Sequence, residues 1–127
     1  MLLATMRVLL RLRPFKLVAQ RLGRIVSPAE ARAATPPASA EQISLAADIS
    51  WAVTRAARDA PFRAVCLPQA MTARVMLARR GVPSVLHYGA TTQGEAAIEA
   101  HAWLSAAGVE VTGYPVPARF TEIACFV

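Results

Sequence analysis

Cysteine is scarce in this 127-residue chain: there are two, Cys66 and Cys125, almost sixty residues apart. Two thiols so placed do not make a disulfide framework. With no secretory signal at the start, the expected compartment is reducing and cytoplasmic, with both thiols free. Long apolar runs are lacking as well. Met1 to Met6 is apolar, but Arg7, Arg11 and Arg13 cut in well short of the ~20 residues a membrane span needs. A cleaved signal peptide carries its charge ahead of a clean apolar run, and here the charges follow that run and fall within it. There is no internal repeat and no long low-complexity tract. Aspartate stops at Asp59; after His101 the only acids are Glu110 and Glu122, with no asparagine or glutamine. The length is that of one domain with a modest core that needs no disulfide or metal.

The formal charge of +6 is unevenly spread. Residues 1–40 hold Arg7, Arg11, Arg13, Lys16, Arg21, Arg24 and Arg32 against Glu30 alone, so the whole excess belongs to this segment and residues 41–127 are neutral. The division predicted is a basic N-terminal segment with a linker (1–40) and a globular domain (41–127). Within the segment, Leu3, Met6, Leu9, Leu10, Leu17 and Val18 can share a helical face, and Pro14 divides it into two short amphipathic pieces. Such pieces cover the domain's own core, dock on a partner, or lie on a membrane surface through residues 1–26. Beyond Phe15 no aromatics interleave the arginines, which argues against a nucleic-acid partner.

Ser27 to Ala40, rich in alanine, proline and small polar residues, reads as a loop or linker. Ser39 and Gln42 have the form of a capping box, predicting a helix from near Ala40 with Leu45, Ile49, Ala52, Val53 and Ala56 on its buried face; Asp59-Ala60-Pro61 ends it. Trp51 lies off that stripe. Leu67, Ala70, Met71, Val75 and Ala78 predict a second helix over about Leu67 to Arg80, with Pro68 in its first turn and Gly81 and Pro83 as its stop. Val82–Ala90, Ala100–Ser105, Val109–Thr112 and Phe120–Val127 read as strands, the first two separated by the loop from Thr91 to Glu95, and Gly108 marks a hairpin turn. Helices followed by an antiparallel sheet make the class α+β.

Cys66 falls where a loop turns into the second helix. A thiol there faces unpaired N–H groups and the positive end of the macrodipole, which stabilise negative charge on sulfur. His101 follows on a strand that can pack against this helix and bring an imidazole to the sulfur. The Cys66 N–H is the natural first oxyanion donor, with Gln69 either a second donor or a surface residue. Glu110 is two residues from Thr112 on the next strand and is the candidate to orient His101; the alternatives are a backbone carbonyl or Thr112. His87, with no acid or cysteine near it in sequence, reads as structural or as part of a substrate groove. Cys125 alternates with apolar neighbours and reads as core, and Trp103 is placed to shield His101. Cys66, His87, His101 and Cys125 can be written as a zinc site, but no two have the short spacing of structural zinc sites. No metal or cofactor is expected.

The segments CLPQAMTARVMLARRGVPSVLHYGA, AHAWLSAAGVEVTG and ARFTEIACF resemble the stand-alone B2 protein of lasso-peptide biosynthesis, a transglutaminase-like cysteine peptidase. The resemblance covers roughly Trp51 to Val127 and is most specific at the Cys-Leu helix opening and the Ala-His-Ala-Trp tetrapeptide. It implies a transglutaminase-like, papain-like core in which Cys66 is nucleophile and His101 general acid and base. The family's aspartate, about a dozen residues after the histidine, falls here on Thr112-Gly113, so the third member is replaced. The implied activity is removal of the leader from a lasso-peptide precursor before cyclisation, with a small leader-binding protein of the B1 type as partner and the lasso cyclase as a further contact. Acyl transfer to an amine and a non-enzymatic adaptor using the basic N-terminus are the competing expectations.

Overall fold

The computed structural model describes residues 23–34, 37–59, 66–91 and 99–127, together with residues 2 and 4. The amphipathic pieces expected at the N-terminus, and most of the loop expected after Thr91, lie outside the described residues. In chain order the elements are β1 (Ile25–Val26), α1 (Pro28–Ala34), α2 (Ala40–Asp59), α3 (Cys66–Arg79), β2 (Ser84–Thr91), β3 (Glu99–Ala106), β4 (Val109–Thr112) and β5 (Thr121–Phe126). The strands form one five-stranded sheet in the order β1-β5-β2-β3-β4. Every neighbouring pair is antiparallel, as the α+β reading expects.

The helix ends follow their local chemistry. Before α2 the Gln42 N–H donates to Ser39 Oγ and the Ser39 N–H to Gln42 Oε1, each at 3.1 Å, the reciprocal bonds of a capping box. Ala46, Ile49 and Val53 form the buried stripe of α2, while Trp51 is 65% exposed with the Arg55 guanidinium over its ring. At the end of α3 the Val82 N–H reaches Leu77 O and the Gly81 N–H reaches Ala78 O. Gly81 takes φ +70°, completing a Schellman cap. The buried stripe of α3 passes through Ala73 and Leu77, not Val75 and Ala78 as expected; a helix apolar on more than one side gives periodicity little contrast. The stretch read as a linker contains α1, because Ser27 Oγ accepts the Glu30 N–H at 3.2 Å, Pro28 opens the first turn, and Ala31 is buried.

The two faces of the sheet differ. Ala102, Leu104 and Ala106 of β3, with Leu86 and Phe126, join α2 and α3 in the main core. The alternating residues face the other way, where Cys125, Val26, Val85 and Val127 pack with Ala31 of α1. Arg74 ties α3 to the sheet: its Nη1 donates to Phe126 O at 2.8 Å and to Ser84 O at 3.4 Å. Burial pushes its pKa below the ordinary guanidinium value.

The β3–β4 hairpin closes through Ala107 (φ +52°) and Gly108 (φ +75°), the paired positive dihedrals of a type I′ turn. An alanine in the left-handed region costs about 1 kcal/mol, and asparagine tolerates it better. Ala107→Asn is expected to raise stability by about 0.5–1 kcal/mol, read as a higher urea midpoint; a lower midpoint would contradict this account of the turn.

Candidate active site

Cys66 is the first residue of α3. Its thiol is free and half-buried, and with Leu67 it packs on the cluster that holds Ala102, Leu104 and Leu86. The level of the helix along the sheet is set by Arg74, whose guanidinium reaches Ser84 at the start of β2. Cys66 lies a little over two turns earlier, about 12 Å along the axis at 1.5 Å per residue. The helix therefore starts toward the far end of β2, where β3 begins and His101 pairs with Gly89.

His101 is half-buried on β3, and its Nε2 lies 2.8 Å from the carbonyl oxygen of Gly113. A carbonyl only accepts, so Nε2 carries the hydrogen, and the lone pair of the neutral ring resides on Nδ1. The ring stacks between Trp103, at 5.7 Å between centroids, and Phe120, at 5.3 Å. The Arg119 guanidinium covers Phe120 at 4.8 Å. Two glycines make this packing fit. A Cβ on Gly89 would lie 2.7 Å from Trp103 Cη2. A Cβ on Gly113, which has φ +81°, would lie 2.6 Å from Ala102 O.

The register of β4 brings Gly113 to the ring. Leu104 pairs with Thr112 and Ser105 with Glu110, leaving Val111 as the extra residue of a bulge. Val111 and Thr112 are thus buried in succession. Glu110 is exposed on β4 opposite Ser105; along β3 that is about 13 Å from His101 at ~3.3 Å per residue. Thr112 is 1% exposed opposite Leu104. Of the three orienting groups expected for His101, the backbone carbonyl makes the bond. Cys66 and His101 reach the same end of the sheet, but strand alternation turns the His101 ring to the Trp103 face while Cys66 packs on the Ala102 face. Among the described residues no hydrogen bond joins the Cys66 sulfur to this ring. Gln69 is half-buried on α3.

A second constellation was not foreseen. On the Trp103 face, His87 Nδ1 lies 2.6 Å from Glu122 Oε1, and the Cys125 thiol donates to the same oxygen at 2.8 Å. The other His87 nitrogen, Nε2, lies 2.7 Å from Ser105 Oγ, and the His87 ring stacks on Trp103 at 5.7 Å. His87 thus has both an acid and a cysteine beside it, and both come from β5. The sequence hides this because Glu122 and Cys125 are an odd number of residues apart, which in a regular strand separates their faces. A bulge reconciles them: Tyr88 pairs with Ala124 and Gly89 with Glu122, so Ile123 is the extra residue. Burial, and after it the hydrogen bond to and charge of Glu122, push the Cys125 thiol up to about 12. That sulfur is held protonated at neutral pH. Burial works against the Glu122 carboxylate too. The Cys125 and His87 hydrogen bonds and the charges of His87 and Arg32 outweigh it, and its pKa falls below the ordinary value. Burial, then the charges of Glu110 and Glu122, raise Tyr114 to about 12 against a hydrogen bond with Ser105.

Among protein families, the one described as Transglutaminase-like superfamily matches residues 9–125. No curated protein and no solved structure matches the chain.

The Glu122 carboxylate titrates lower in the folded chain than in the unfolded one, so its stabilisation is present above the unfolded value, about 4.3, and is lost as pH falls through the lower folded value. Glu122→Gln is therefore expected to lower the urea midpoint at pH 7, with the gap to wild type narrowing below about pH 4.3. A gap that persists unchanged into acid would show that the carboxylate's charge is not what matters.

Proposed function

Because the chain belongs to the transglutaminase-like superfamily, whose members include cysteine peptidases and acyltransferases, we propose that it is a cysteine peptidase that cuts the leader from a lasso-peptide precursor. The observation that carries this reading is the His101 ring. A transglutaminase-type site needs an imidazole with one nitrogen anchored and the other ready to exchange a proton, and the Gly113 carbonyl 2.8 Å from Nε2 supplies the anchor. It does so at the position where the resemblance expects an aspartate. The nucleophile in this reading is Cys66, at the positive end of α3. Cys125 is unsuited to the role, being fully buried and held as a thiol donating to Glu122.

In the proposed reaction the Cys66 sulfur attacks the scissile carbonyl carbon, and the Cys66 N–H donates to the developing oxyanion. His101 Nδ1 takes the thiol proton and delivers it to the departing amine as the C–N bond breaks, leaving a thioester. Water then attacks the thioester, His101 accepts its proton, and the leader leaves with a free carboxylate. The sulfur and the ring lie on opposite faces of β3 in the free protein, so this reaction requires Cys66 at the start of α3 to move to the ring when the precursor binds. A carbonyl steadies an imidazolium less than a carboxylate does, so the enzyme works slowly, and Glu110 serves at most as a distant countercharge.

The sheet edges offer a leader strand little room. Ser50 Oγ already holds Val111 O of β4 at 2.6 Å, and β1 has two residues. A separate leader-binding protein of the B1 type and the basic segment 1–40 are therefore assigned the capture of the leader. Residues 1–26 contact the partner or an anionic membrane surface. Transfer of the freed core peptide to the lasso cyclase completes this cytoplasmic reading. Incubating a precursor from the same gene neighbourhood with the protein, with and without the leader-binding protein, tests the proposal by mass spectrometry. Wild type is expected to release leader, mainly with the partner, and Cys66→Ala and His101→Gln to lose at least about 100-fold in rate. Undiminished cleavage by Cys66→Ala refutes the reading, and a leader-amine adduct in place of free leader makes the protein an acyltransferase.

A further inference from the structure

We propose that His87, Glu122 and Cys125 form a zinc-class metal site, separate from the Cys66–His101 pair. Three potential ligand atoms from two strands converge on one point. His87 Nδ1 and Glu122 Oε1 are 2.6 Å apart, Cys125 Sγ and the same Oε1 2.8 Å, and Cys125 Sγ and His87 Nδ1 3.6 Å. All three lie within 4.8 Å of one another. Around a tetrahedral zinc with bonds of about 2.0–2.3 Å, such ligand atoms stand about 3.3–3.6 Å apart. The sulfur–nitrogen edge already has that length. The two edges to Glu122 open by rotation of that carboxylate, whose side chain is the more exposed of the His87–Glu122 pair, at 26% against 17%.

The backbone is bent to make this convergence. Without the extra residue at Ile123, Glu122 would leave the face of Cys125, and the displaced Ile123 is 56% exposed in consequence. Bulges that re-aim a side chain in this way recur beside functional sites. The outer shell is also in place. His87 Nε2 is held by Ser105 Oγ at 2.7 Å, as a metal-bound imidazole is held through its second nitrogen, and Trp103 fixes the ring plane by stacking at 7°.

The donor set selects the metal. A thiolate, an imidazole and a carboxylate suit zinc or cobalt(II) more than magnesium or calcium. Thiolate and carboxylate balance the two positive charges of the ion, so the bound site is neutral. Binding transfers the Cys125 proton to water and leaves a neutral imidazole with its hydrogen on Nε2, toward Ser105 Oγ. Three protein ligands leave a fourth position for water or a ligand group, the arrangement of a site that is not closed.

Zinc chloride titrated into the full-length, chelator-treated protein against a chromophoric competitor is expected to fill one site per chain. His87→Gln, Glu122→Gln and Cys125→Ser are each expected to weaken it at least about 100-fold, and Ser105→Ala about 10-fold. Cys66→Ala and His101→Gln are expected to leave it unchanged. Cobalt(II) reports the sulfur independently, through a thiolate-to-metal charge-transfer band that persists in Cys66→Ala and disappears in Cys125→Ser. Circular dichroism of each variant separates lost ligation from lost folding, and Ser105→Ala weakens binding without removing a ligand. Absence of a saturable site in folded wild type, or a cobalt band that depends on Cys66, overturns the proposal.

Discussion

One hydrogen bond organises the end of the sheet where the chemistry is assigned: His101 Nε2 to the Gly113 carbonyl, at 2.8 Å. A neutral acceptor on Nε2 fixes the tautomer and so decides which nitrogen can take a proton. The backbone has to approach β3 closely to offer that carbonyl. Gly113 manages this with φ +81° and no side chain, against Ala102 O and Trp103 Cβ. The indole in turn needs the space over Gly89, and its stacking on His101 leaves the imidazole little freedom to turn.

Both irregularities of the sheet serve side chains on the Trp103 face. The bulge at Val111 of β4 shifts the register that leads into Gly113. The bulge at Ile123 of β5 returns Glu122 to the side of His87 and Cys125. A regular five-stranded sheet would have kept the same core of Leu86, Leu104 and Phe126 under α2 and α3 and lost both constellations. The two thiols consequently live in opposite surroundings. Cys66 begins a helix at the margin of the core, whereas Cys125 is fully buried and bonded to a carboxylate.

Much of the fold was legible because local rules govern it. The Ser39–Gln42 box, the Gly81 stop and the Gly108 turn each carry their own chemistry, and the strands declared themselves by composition. The helix α1 was hidden in an alanine- and proline-rich stretch, since its stability comes from Ala31 packing beside Cys125 as well as from its own sequence. The Ala-His-Ala-Trp strand was readable, and so were its surroundings as alternatives, a carboxylate, Thr112 or a carbonyl. Only the register of β4 separates these, and register is a long-range property. The His87 cluster was illegible for the same reason: period-two alternation puts Glu122 and Cys125 on different faces unless the bulge is known.

The central claim is that Cys66 and His101 act together although they approach the site from different faces of β3. The rate at which bound precursor acylates Cys66 in a single turnover, followed by mass spectrometry of the Cys66 thioester at neutral pH, tests it most directly. If His101 activates the sulfur, His101→Gln slows that acylation by about 100-fold, and His87→Gln leaves it unchanged. A rate indifferent to His101, or one that follows His87, would contradict the account.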